Sequence, residues 1–164
     1  EFFRVAVNLN KLATAVLAHD AVNHGIEVLG GNGAIESFSI MPRLLRDNVV
    51  YENWEGSHNV LRAQVLRDCR RMGVHTGFFD TVASRLGDEA VAGDRAEMER
   101  ILTLDPELAA LRFRPLAMRM AVHVMRAAMV GVPALAAHTL MMGRHLDSPA
   151  LDATHLALVE SLQR

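Results

Sequence analysis

The strongest constraint on this chain is apolar residues recurring at helical spacing, cut into segments by glycine and proline. Between residues 2 and 29 the apolar positions Val5, Leu9, Leu12, Val16, Leu17 and Val28 repeat with the period of one long helix. Gly30 and Gly31 then predict its end. A short helix over 41 to 49 is expected next, with Pro42 in its first turn, and then a loop over 50 to 56. Ser57 reads as the N-cap of a helix running to about Arg71, with Val60, Leu61, Val65 and Leu66 along it and Gly73 at its end.

The second half continues in the same manner. Modest helices are expected over 76 to 87 and 94 to 103, separated by the turn from Gly87 to Gly93. Asp105-Pro106 is a start signal, an N-cap followed by proline at the first helical position. A long helical stretch to about His145 follows, with breaks expected near Pro115 and Pro133, and Ser148-Pro149 opens a last helix. No segment alternates like a strand. The expectation is an all-α helical bundle of seven or eight helices, with residues 1–72 as one domain and 73–164 as a C-terminal helical extension.

Composition agrees. Hydrophobic residues make up 51% of the 164, aromatics only 5%, and Met is frequent at nine. A net charge of −2 gives no global basic field for nucleic acid. The single cysteine, Cys69, excludes an intrachain disulfide or a zinc-thiolate cluster. Apolar runs are too short to span a bilayer and nothing reads as a signal peptide, so a cytoplasmic protein is expected. Lys11, the lone lysine among seventeen basic residues, reads as composition bias. The chain opens on Glu1 already inside a helical pattern, and is expected to be a fragment of a longer protein.

Two motifs carry chemistry. Gly30-Gly31-Asn32-Gly33 places three glycines in four residues, which lets backbone approach a ligand closely. Trp54-Glu55-Gly56-Ser57 puts a carboxylate beside an aromatic at a turn that opens a helix, a candidate general base. Each has a plain alternative: a helix end with its turn, and an ordinary acid in a turn. The histidines His19/His24 and His138/His145 lack acids or cysteine at ligand spacing, so no metal site is expected. Methionines from Met118 to Met142 are expected to pack the core.

In type, order and spacing these two motifs resemble the C-terminal helical domain of acyl-CoA dehydrogenases, an FAD-dependent family. The resemblance covers residues 1 to about 72. It implies that Glu55 is the catalytic base that removes the α-proton of an acyl-CoA thioester while the β-hydrogen leaves as hydride to flavin. Burial beside Trp54 is expected to raise the Glu55 pKa. Gly30 and Gly31 would lie against the FAD pyrophosphate of a neighbouring subunit. Glu27 stands where the family often has glutamine, and a carboxylate there faces a pyrophosphate unfavourably. Ser57 and Asn59 fall where the family contacts the adenosine portion, and Ser57 reads equally well as a helix cap. Arg46 and Asp47 also match, as a structural ion pair.

The resemblance further implies an acyl-CoA substrate, an electron acceptor and a homo-oligomer, whose interface is expected on the 2-to-29 and 57-to-71 helices. It also implies an isolated chain that is inactive and does not hold FAD, because most of the flavin cleft lies in other domains. The long extension resembles the alkylation-response flavoprotein branch, some of which bind DNA. Arg112, Arg119 and Arg126, seven residues apart, would share the face that does so, and this DNA-binding or assembly module is the alternative reading.

Overall fold

The computed structural model describes residues 1–139 together with Ala157, Glu160 and Ser161. The described residues form six α-helices and no strand: α1 (Phe2–Leu29), α2 (Met41–Asn53), α3 (His58–Met72), α4 (Val74–Leu86), α5 (Ala92–Leu102) and α6 (Pro106–Met129). Short 3-10 turns occupy Gly30–Ala34, Asp88–Ala90 and Pro133–Leu135. The expected helix opened by Ser148-Pro149, with Met141, Met142, Arg144 and His145, lies outside the described residues.

The core forms where the first half of α1 meets α3, α4, α5 and α6. Val5 and Leu9 of α1 are buried with Phe78 and Phe79 of α4, Met98 of α5, and Phe113, Leu116 and Met120 of α6. Phe2 stacks on Phe78, with ring centroids 5.7 Å apart. Full burial of one such side chain contributes about 1.5–3 kcal/mol. The core therefore draws on residues from both expected segments, 1–72 and 73–164. Met120 lies inside it, and Met118 and Met125 pack against its edge, as expected of these methionines.

Expectation and structure part at four places. The apolar pattern of α1 is only half buried: Val5, Leu9 and Leu12 are inside, whereas Leu17 and Val28 are exposed. The period identifies a helix but not which stretch of it meets a partner. The expected loop over 50 to 56 is helical as far as Asn53. The expected break at Pro115 is absent, because α6 runs through it. Pro115 lies on the exposed side, where the carbonyl it leaves without an N–H partner can be hydrated. Ser57 stands at the N-cap position of α3, but its side chain makes no capping hydrogen bond.

Asp105 caps α6 as expected, accepting from the Glu107 amide at 2.9 Å. α5 and α6 are joined by a polar cluster. Arg119 pairs with Asp94 at 2.7 Å and with Glu97, and the buried His123 contacts Asp94 through Nε2 at 2.8 Å. Burial pushes the Asp94 carboxyl up, but hydrogen bonds and charge from His123 and Arg119 outweigh it and leave it below its ordinary value. No helix among the described residues is long and apolar enough to cross a membrane.

Candidate active site

The turn between α2 and α3 is built from α1. The Lys11 ammonium donates to the Glu52 carbonyl at 3.1 Å and the Gly56 carbonyl at 2.9 Å, tying both sides of the turn to one helix. Below it, the buried Asn48 donates through Nδ2 to the Ala15 carbonyl at 3.2 Å and to Glu52 Oε1 at 2.8 Å. The same Glu52 oxygen lies 2.7 Å from His19 Nδ1. Two successive turns of α2 are thus pinned to α1 by polar groups.

Within this frame Glu55 has φ 59°, and it is the one non-glycine residue with positive φ among the described residues. Such a backbone costs about 1–2 kcal/mol for a residue with a Cβ. It persists only where the surroundings over-determine it, and such positions cluster at functional sites. The Lys11 clamp supplies that constraint. Lys11, Val50, Tyr51, Trp54 and Glu55 line an open cleft of about 450 Å³. Glu55 and Trp54 are both exposed, so the expected burial of the carboxylate beside the indole is not present in the single chain. Among the described residues, Val50, Tyr51 and Trp54 on the outer side of α2 stay exposed.

His58 lies directly beyond the turn. Burial lowers its pKa most; Arg62 and Lys11 add to that, against the opposing charge of Glu52. Its Nε2 is buried without a hydrogen-bond partner. Asn59 accepts from Arg62 Nη1 at 3.2 Å.

The glycine turn is a second, separate surface. Gly30 ends α1 at φ 60°, its amide donating to the Glu27 carbonyl. Gly33 is glycine for packing: a Cβ there would stand 2.6 Å from the Ile26 carbonyl oxygen. Gly31 has neither reason, since its φ is not positive and a Cβ would meet nothing within 4 Å. Glu27, Gly30 and Gly31 are all exposed. Lys11 and Gly30 lie nineteen positions apart on and just beyond one continuous helix, about 28 Å at 1.5 Å per residue. The Glu55 turn, held at Lys11, and the glycine turn therefore cannot face one small ligand within a single chain.

The ion pairs differ in detail from expectation. Arg46 pairs with Glu36 and Asp47 with Arg43 at 3.8 Å, so Arg46 and Asp47 do not pair with each other. The Arg112/Arg119/Arg126 face is not free, because Arg119 is held by Asp94 and Glu97. No group of three histidine, cysteine or acidic side chains able to hold a metal occurs among the described residues. The Cys69 thiol is pushed up to about 12, by burial first and the charge of Asp68 next, and cannot serve as a nucleophile near neutral pH.

Sequence reasoning missed Lys11, Asn48, Glu52 and His58. The one available signal was the isolation of Lys11 as the sole lysine. Its partners lie more than forty positions away, so nothing local announces them.

Residues 2–69 match the sequence model of the family described as "Acyl-CoA dehydrogenase, C-terminal domain". Over this segment the chain is similar to that family. Over 64 residues the chain is 42% identical to "Acyl-CoA dehydrogenase family member 11" of Caenorhabditis elegans, a stretch covering 39% of this chain and 10% of that relative. The chain thus spans about a tenth of that protein's length. No solved structure matches. The family match ends at residue 69, before α4 begins at Val74. The all-α fold of the described residues accords with an all-α C-terminal domain of that family.

Proposed function

We propose that this chain is the C-terminal part of an FAD-dependent acyl-CoA dehydrogenase-like oxidoreductase, with Glu55 as the base that removes the α-proton of an acyl-CoA thioester. The observation that carries the reading is the backbone of Glu55, held at φ 59° by the turn that Lys11 clamps. A carboxylate fixed on such a turn and facing an open cleft is presented outward, which a base acting on a ligand bound by another domain requires. Bound FAD would accept the β-hydrogen as hydride. The chain's own share is to aim the Glu55 carboxylate at the α-carbon and hold the proton it removes. Covering the cleft with another domain would exclude water from the reacting atoms.

Gly30 and Gly31 fit the close approach of a pyrophosphate in steric terms, because neither carries a side chain and nothing stands within 4 Å of where a Cβ would be, although the Gly30 amide is already used by the Glu27 carbonyl. The Glu27 carboxylate, one turn earlier, fits only a ligand path that leaves it turned to solvent. The separation of the glycine turn from Glu55 supports two flavin sites served by one chain, one through the base and one of a neighbouring copy through the glycines. Ser57, whose hydroxyl is not used as a cap, and Asn59 would contact the cofactor near the base. A homo-oligomer follows. Its interface is best sought on the exposed apolar residues Phe38, Ile40, Val50, Tyr51 and Trp54, because the first half of α1 is buried in the chain's own core.

The test is the Glu55→Gln variant of the full-length parent, assayed with a panel of acyl-CoA thioesters and an artificial electron acceptor. Turnover is expected to fall at least ~10²-fold, the lower end for loss of a general base, with the flavin spectrum retained. Unchanged dehydrogenation with flavin bound would remove Glu55 from the role.

A further inference from the structure

We propose that the groove between α3 and α6 binds a small amphipathic anion, a carboxylate or phosphate head on an apolar tail, through the guanidiniums of Arg62 and Arg114. The groove is a cavity of about 410 Å³, with Arg62 and Asn59 on the α3 side and Glu107, Phe113 and Arg114 on the α6 side. That volume lies within the range of small-molecule sites.

Its charge is unbalanced. Arg62 is half-buried, its Nε is buried with no hydrogen-bond partner, and its Nη1 contact to Asn59 is to a neutral amide. Burial first and then the charge of Arg114 lower the Arg62 pKa, so the two cations face the same space. Neither forms an ion pair among the described residues, and Glu107, the one acid on the groove wall, lies within 4 Å of neither. An anion between the guanidiniums would relieve the repulsion with charge-assisted hydrogen bonds. The floor is apolar, formed by the buried Leu66 and Phe113, so a bare inorganic ion would leave it uncovered while a short hydrocarbon tail would fill it. The groove lies on the α3–α6 side of the chain, distinct from the cleft at Glu55.

The experiment is calorimetric titration of the 164-residue chain with decanoate, decyl phosphate and neutral decanol. Saturable one-to-one binding of at least one anion is expected, at least tenfold tighter than decanol. Whichever anion binds more tightly identifies the head group. Arg114→Gln, a change at an exposed position, should weaken that binding at least tenfold with the helical circular dichroism and melting temperature unchanged. Arg62→Gln should do the same through the buried side of the groove. Equal affinity for decanol and the anions, affinity unaffected by Arg114→Gln, or no binding at millimolar ligand would each overturn the proposal.

Discussion

Replacing Glu55 by glycine and, separately, by alanine isolates the backbone from the carboxylate. Both variants delete the carboxylate; they differ in whether a Cβ must occupy φ 59°. A Cβ there costs about 1–2 kcal/mol. Against this, glycine raises the entropy of the unfolded chain, worth about 0.4–1 kcal/mol. The difference leaves Glu55→Gly more stable than Glu55→Ala by roughly 0.5–1 kcal/mol, the reverse of the usual order. With a urea slope of about 2 kcal/mol per molar, the midpoints should differ by roughly 0.3–0.5 M. Urea unfolding followed by the helical signal at 222 nm resolves that gap. An alanine variant as stable as the glycine variant would show that no strain is held at this position, and the argument that the turn presents its side chain under constraint would fall with it.

Three further outcomes are expected. Asp94→Ala leaves Arg119 and the buried His123 without their shared partner, and should cost about 3 kcal/mol in thermal or urea unfolding near neutral pH, a cost typical of breaking a buried pair; a loss under 1 kcal/mol would show that the cluster is dispensable. Because the folded Asp94 pKa lies below its ordinary value of 3.8, its contribution is complete above that value and fades as pH falls through the lowered one, so the stability gap between wild type and Asp94→Ala should hold at pH values well above 3.8 and narrow as pH falls below it. Lys11→Met removes two charge-assisted bonds to half-buried carbonyls and should cost about 1–2 kcal/mol, with faster amide exchange at residues 54 to 57; exchange unchanged there would mean that Lys11 does not hold the turn.

The elements of the fold were largely legible in the sequence, because helices announce themselves locally. The stop at Gly30, the start at Asp105-Pro106 and the end at Gly73 each rest on a residue whose backbone chemistry acts on its immediate neighbours. Pro115 misled for the same reason: its local cost is real, but solvent on the exposed face of α6 and core contacts through Phe113, Leu116 and Met120 hold the helix together. The position of Glu55 was legible from motif and spacing, while its surroundings were not. Its exposure, the Lys11 clamp and the re-pairing of Arg46 with Glu36 depend on which helices lie side by side, and no window of sequence contains that.

α1 is a single stiff rod with two different neighbourhoods. Its buried residues all lie between Val5 and Ala15, gripped partly by helices beyond the matched segment, while its far end carries the glycine turn. The gripped part spans about 15 Å, and the turn lies about 22 Å beyond it. By simple leverage, a shift of about 1 Å at the Val5 end, pivoting at Ala15, becomes about 1.5 Å at Gly30. Substitutions such as those at Phe78 or Phe113 can therefore re-aim the glycine turn without touching it, so that turn is aimed from the opposite end of the helix.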